Sequence, residues 1–266
     1  MNRIIWALGA SLALFSFSAA AERQETGFLD RTATVEGVTY RYQVYVPADY
    51  TADKKWPVVL FLHGAGERGD DGLAQTNVGI GTAIRAHADR YHAIIVMPQC
   101  RKNVFWQAPE MEKQALASLA QSIKEFNTDP DRVYLTGLSM GGYGSWALLQ
   151  EYPAKFAAAV IICGGIVPPP SAKLPAPTSA DPYGDAAKKI GGAIPIWVFH
   201  GGADPVVPVT ESRKMVEALK ALGSSVKYTE YEGVLHDSWV KAYADAEMPA
   251  WLFSQTLSAQ KVAASR

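Results

Sequence analysis

The sequence predicts an α/β fold: a doubly wound, mostly parallel sheet with helices on both faces, opened by an antiparallel hairpin. Three observations carry that expectation. Short, near-continuous apolar runs recur along the chain and suit strands covered on both faces. Longer stretches with apolar residues every three to four positions alternate with them, as crossover helices require. Ahead of both, two runs rich in β-branched and aromatic residues flank Glu36-Gly37, which reads as a hairpin.

The elements follow in order. Met1-Asn2-Arg3 supplies a positive charge, residues 4–17 are apolar or small, and Ser18-Ala19-Ala20-Ala21 precedes Glu22. These are the parts of a secretory signal, cut after Ala20 or Ala21 with Ala21 preferred. Residues 4–21 just reach membrane-spanning length, so an uncleaved anchor is the alternative. The run ends in small residues without a basic cluster, which favours cleavage and a periplasmic or secreted product with no stable membrane association. No cysteine lies near the cut to take a lipid. Residues 22–266 then form one domain.

The hairpin is expected over 32–35 and 38–46. Apolar strands follow at 57–62, 93–97, 133–136, 158–163 and 196–199, and an alternating strand at 226–231. Helical spacing covers 110–126, where Met111, Leu116, Leu119, Ile123 and Phe126 recur, and 212–222, where Gly223 offers a C-cap. A third helical stretch occupies 143–151. A last one, 239–257, is interrupted near Pro249. Segment 167–182 holds six prolines and is expected as an extended loop insertion, because proline fits neither a helix interior nor a central strand. It is either a pocket wall, emerging at the carboxyl edge of the sheet, or a solvated surface insertion.

Composition narrows the function without naming it. The 266 residues are 48% hydrophobic and carry 25 Lys plus Arg against 26 Asp plus Glu, a formal net charge of −1. With no basic run to track phosphates, nucleic acid is excluded as a partner. Two cysteines, Cys100 and Cys163, are too few for a disulfide scaffold.

The chemistry is concentrated at Gly137-Leu138-Ser139-Met140-Gly141, a G-x-S-x-G elbow between a strand and a helix. Such a turn projects the serine hydroxyl, the flanking glycines remove Cβ atoms that would clash, and the following helix N-terminus favours developing negative charge. Serine needs a base and an orienting acid. In hydrolases with this elbow the order is Ser, then acid, then His. His236, in the loop after the last strand, is assigned as base; His200 ends a buried strand and reads as packing. Asp204, after strand 196–199, is assigned as acid over Asp237, which is too close in sequence to reach the far imidazole nitrogen. The oxyanion hole is assigned to the backbone N–H groups of Met140 and Ala65, with Gly66 as the alternative donor. His63 precedes the nucleophile, ends a buried strand and reads as structural.

These motifs resemble the α/β-hydrolase superfamily. Within it, the chain is similar to the bacterial predicted peptidase and phospholipase/carboxylesterase-like group, akin to carbohydrate esterase family one with its feruloyl and acetyl esterases. The resemblance rests on His63-Gly64-Ala65-Gly66-Glu67-Arg68-Gly69-Asp70-Asp71, Met97-Pro98-Gln99-Cys100, the elbow through Gly142, Ile196-Trp197-Val198-Phe199-His200-Gly201 with Asp204-Pro205-Val206-Val207-Pro208, and His236-Asp237-Ser238-Trp239. It spans residues 57–255; the proline-rich segment is longer than the group leads one to expect. The family's strand order implies that two strands separate those leading to Cys100 and Cys163, so two unpaired, buried thiols are expected.

Trp106, Gln107, Val206 and Trp239 are candidate pocket residues, with Trp106 and Trp239 each read alternatively as packing. Glu67 and Arg68 are expected to fix the oxyanion loop by ion pairing. No cluster of His, Cys and carboxylates at metal spacing is visible, so neither metal nor cofactor is implied. The resemblance implies a secreted serine hydrolase of small-molecule or polysaccharide-linked esters. A serine peptidase of the prolyl-oligopeptidase-like group and a non-catalytic binding protein on the same scaffold are the alternatives.

Overall fold

The computed structural model describes residues 25–264 apart from 170, 171, 173 and 176. The signal assigned to residues 1–21 therefore lies outside the described residues. Among the described residues no helix is long and apolar enough to cross a membrane.

Eight strands form one sheet in the order β1-β2-β4-β3-β5-β6-β7-β8. They are β1 (Gly27–Val35), β2 (Val38–Val46), β3 (Trp56–Leu62), β4 (Ile94–Pro98), β5 (Thr128–Leu138), β6 (Ala158–Ile162), β7 (Ile196–Gly201) and β8 (Lys227–Tyr231). β1 and β2 pair antiparallel from Gly27↔Val46 to Val35↔Val38. Their turn places Glu36 at φ 50° and Gly37 at φ 81°, the two positive φ values that match a hairpin turn to strand twist. β2 meets β4 antiparallel, and from β4 through β8 all pairings are parallel.

The helices are α1 (Ile80–Ala86), α2 (Pro109–Glu125), α3 (Met140–Glu151), α4 (Pro182–Ile190), α5 (Thr210–Ala221), α6 (Trp239–Ala244), α7 (Glu247–Phe253) and α8 (Leu257–Ala264). Strand alternation divides the interior into two layers. Val58, Leu60 and Leu62 of β3 face a core shared with Met111 and Leu119 of α2, Trp146 and Leu149 of α3, and Met215 and Leu219 of α5. Val59 and Phe61 face the opposite core, closed by Ile80 and Ile84 of α1, Tyr243 of α6 and Leu252 of α7. Every strand from β3 to β7 is thus covered on both sides, which is why those segments read as unbroken apolar runs.

β1 and β5 run longer than the sequence reading, from Gly27 and over Thr128–Leu138, and further differences concern the helices. Pro182, placed in the proline-rich loop, is the first residue of α4; Asp181 caps that helix by accepting from the Gly184 N–H at 3.0 Å. An acidic cap followed by proline at the first helical position is a helix-start signal that composition obscured. α1 was not expected either, because seven residues without a side-chain cap give little periodicity. The break in the C-terminal helical stretch falls at Asp245-Ala246. Pro249 sits in the first turn of α7, where its missing N–H is no loss.

Candidate active site

The site lies at the carboxyl ends of the central parallel strands. Ser139 follows β5 immediately and caps α3, with φ 51° and ψ −119°, a conformation a serine adopts only under constraint, at about 1–3 kcal/mol. The constraint is close packing. A Cβ on Gly141 would stand 1.9 Å from the Leu62 carbonyl oxygen, and one on Gly137 2.3 Å from the Gly141 oxygen. The turn thus lies against β3 and against itself as only glycine permits.

The three residues assigned from sequence meet there. Ser139 Oγ lies 2.9 Å from His236 Nε2, and His236 Nδ1 lies 2.7 Å from Asp204 Oδ2. His236 arrives on the loop after β8, and Trp239, the first residue of α6, packs edge-on against its imidazole at 5.2 Å. Asp204 is carried by the loop after β7; its Oδ1 accepts the N–H groups of Val206 and Val207 at 2.8 and 3.0 Å. Burial alone pushes its carboxyl up, but the hydrogen bonds from His200, His236 and these two amides outweigh it and hold Asp204 well below the usual carboxylate range.

His200 holds more than the packing position expected of it. It is fully buried, and its Nε2 faces both the Val207 carbonyl at 3.0 Å and Asp204 Oδ2 at 3.3 Å, while Nδ1 meets Ser212 Oγ at 2.6 Å. Two acceptors at Nε2 require the proton there, so His200 donates to the carboxylate that also receives His236. The clue in the sequence was its spacing, four residues before Asp204 across a glycine turn.

Ala65 opens a short 3-10 turn after β3 (Ala65–Glu67), and Ala65, Ser139 and Met140 line one cleft; Gly66 does not. Among the described residues neither the Ala65 nor the Met140 N–H has a protein acceptor. His63 anchors this loop from below. It is fully buried, donates from Nδ1 to the Gly64 carbonyl at 2.6 Å and accepts the Cys100 N–H on Nε2 at 2.9 Å.

The cleft has a volume of about 170 Å³ and is open at its mouth. Arg68, Phe105, Gln107, Tyr143, Val206 and Val207 line it, together with Pro168, Pro169, Ala172 and Leu174 of the proline-rich segment. That segment is therefore a wall of the cleft. Its root is fixed by the buried Glu211 of α5, whose Oε2 accepts from Ile166 and Val167 N–H at 3.0 Å each and whose Oε1 accepts from Tyr183 at 2.6 Å.

Of the four candidate pocket residues, Gln107 and Val206 line the cleft. Trp106 does not: it is 2% exposed, donates its indole N–H to the His63 carbonyl at 2.9 Å and lies across Gly144. Phe105 takes the wall position, because the residue before the buried indole faces the other way. Trp239 flanks His236 outside the cleft. Glu67 and Arg68 form no ion pair. Arg68 holds the loop by a hydrogen bond from Nε to the Ala65 carbonyl at 3.0 Å, and Glu67 lies 3.9 Å from His63.

Cys100 and Cys163 are both free and buried, just after strands β4 and β6 with β3 and β5 between those strands. Burial pushes the Cys100 thiol up to about 12 and the Cys163 thiol higher still. Among the described residues the fold brings together one group that no spacing in the sequence shows: Cys163, Asp204 and His236 bring ligand atoms within 4.8 Å of one another. Three separate segments supply it, so no local spacing reveals it. Asp204 and His236 are engaged with each other, and the raised Cys163 thiol disfavours the ligating thiolate.

Residues 107–252 match the phospholipase/carboxylesterase family model and residues 40–173 the esterase PHB depolymerase model. Among solved structures, a thermostable esterase is 36% identical, with a TM-score of 0.70 over 86% of this chain and 63% of that one. Poly(3-hydroxyalkanoate) depolymerase C of Paucimonas lemoignei is 24% identical, covering 71% of this chain and 48% of its own length. The Aspergillus terreus protein named "Probable feruloyl esterase C" is 24% identical, covering 77% and 72%. The chain spans a quarter to a half of the length of the first curated relatives it matches. With the elbow, the strand order and these matches together, the chain belongs to the phospholipase/carboxylesterase family of α/β-hydrolases.

Proposed function

We propose that the protein is an exported serine hydrolase that cleaves carboxylic esters through an acyl-Ser139 intermediate. The observation that carries this is the hydrogen-bonded line Ser139–His236–Asp204 opening into the cleft. His236 Nε2 takes the Ser139 hydroxyl proton as Oγ bonds to the ester carbonyl carbon. The carbonyl oxygen becomes an oxyanion facing the Ala65 and Met140 N–H groups. The C–O bond to the alcohol then breaks, and the alcohol leaves with the proton from His236. Water repeats the sequence on the acyl-enzyme: its proton passes to His236, its oxygen bonds to the acyl carbon, and Ser139 leaves reprotonated. Asp204 stays ionised, holds the Nδ1–H tautomer of His236 and stabilises the imidazolium.

Feruloylated or acetylated carbohydrate esters and short-chain esters are the substrates this reading favours. Its support is the esterase relatives and a cleft with a phenyl ring, Phe105, in its wall. Export rests on the N-terminal sequence pattern and is checked by sequencing the N-terminus of the exported protein. The purified protein should release p-nitrophenol from p-nitrophenyl acetate. Ser139→Ala should lower kcat by about 10⁴-fold or more while remaining folded; full activity in that variant overturns the assignment. A panel of methyl ferulate, acetylated xylan, short and long acyl esters and peptide amides separates esterase from peptidase.

A further inference from the structure

We propose that Arg68 makes this cleft selective for esters that carry a carboxylate, with the guanidinium receiving it. The inference rests on the ester-hydrolase reading and, among the short-chain esters which that reading allows, selects those that carry a carboxylate. Among the described residues Arg68 is the one charged side chain lining the cleft that holds Ser139. Among the described residues it forms no ion pair. Its hydrogen bonds go to two backbone carbonyls, from Nε to Ala65 at 3.0 Å and from Nη1 to Val104 at 3.4 Å. A guanidinium carries five N–H donors, so three are left over.

The side chain is held where it is. The bond to Ala65 ties it to the same loop that meets Ser139, and its guanidinium carbon sits 5.4 Å from the Phe105 ring centroid. The other described residues of the lining, among them Pro168, Pro169, Leu174 and Val207, offer no counter-charge. A neutral ester filling this space strips water from a half-buried cation and gives nothing back. A carboxylate supplies both the opposite charge and acceptors in the geometry guanidinium fits. The asymmetry is what generates selectivity, since a buried polar group left unpaired is penalised more than a paired one is rewarded.

The carboxylate can belong to either half of the ester: the acyl half, in a hemiester of a dicarboxylic acid, or the alcohol half, in an ester of a hydroxy acid. Matched pairs separate the two. On the acyl side, p-nitrophenyl hemiglutarate is compared with p-nitrophenyl pentanoate. On the alcohol side, 3-acetoxybutyrate is compared with butan-2-yl acetate. The readout is the ratio of kcat/KM, anionic over neutral, in wild type, Arg68→Met and Arg68→Lys. We expect the wild type to prefer the anionic member of at least one pair. That preference should fall about 10- to 100-fold in Arg68→Met and be partly kept in Arg68→Lys. In the wild type alone, raising the salt from about 0.05 to 0.5 M should shrink it, which decides the matter if Arg68→Met does not fold. A ratio unchanged in Arg68→Met, or a wild-type preference for the neutral member of both pairs, overturns the proposal. If the wild type cleaves no ester, the ester-hydrolase reading is what fails. Calorimetric binding of glutarate, lost in Arg68→Met, then still tests this one, and equal binding by both proteins overturns it.

Discussion

Acid should weaken this protein through His63 well before its carboxylates protonate. The imidazole is fully buried, donates from Nδ1 to the Gly64 carbonyl and accepts the Cys100 N–H on Nε2. A second proton would have to sit on Nε2, facing another donor, in a fully buried site. Burial accordingly pushes its pKa down from 6.5 to about 4. The native state keeps His63 neutral while the unfolded chain charges it. Its contribution is therefore complete above about pH 6.5 and is lost as the pH falls toward 4. With those two values, linkage gives a loss of about 2 kcal/mol by pH 5 and about 3 kcal/mol by pH 4. Urea unfolding at several pH values between 4 and 7.5 measures this, with His63→Gln as the reference in which the group no longer titrates. The difference between the two proteins isolates His63 from the other histidines and the carboxylates. Parallel stability-against-pH curves for the two would refute the reasoning.

Four further outcomes are expected. Asp204→Asn should lower kcat by about 10⁴-fold at neutral pH, since an amide favours the wrong tautomer of His236; pre-steady-state kinetics with p-nitrophenyl acetate should show the acylation step slowed. His200→Gln should cost about 10-fold in kcat and move the acid limb of the pH–rate profile upward, because Asp204 loses a donor that holds its carboxyl low; an unmoved profile would leave His200 with packing alone. Glu211→Ala leaves the Ile166 and Val167 N–H groups without their acceptor and should raise KM more than it lowers kcat, as the wall formed by Pro168 and Pro169 loosens. Gly141→Ala, with its new methyl 1.9 Å from the Leu62 carbonyl, should cost on the order of 4 kcal/mol or more, read as lost soluble yield or a collapsed melting temperature.

Local patterns revealed most of the framework. The hairpin turn at Glu36-Gly37, the buried strands and the elbow at Ser139 each depend on contacts within a few residues or on simple two-sided burial, and both leave a mark in the residue order. α1 and α4 escaped because one is too short to show periodicity and the other begins inside a proline-rich run. Within the site, the line from Ser139 through His236 to Asp204 was legible because strand order limits which loops can meet at the sheet's carboxyl edge.

What the residue order could not convey was direction. Trp106 and Phe105 are neighbours, and only packing against Gly144 and His63 turns the indole inward and leaves the phenyl ring in the cleft wall. Arg68 beside Glu67 reads as an ion pair, yet the turn sends one toward the cleft and the other toward His63. His200 reads as a packed strand end, yet the next loop folds Asp204 back onto it. By itself the sequence determined the strands, most of the longer helices and the turn at Ser139, because these follow from short-range sterics and burial. Which side chains face the cleft, and which polar groups find partners, was decided by tertiary structure, because both depend on segments far apart in the chain arriving at one place.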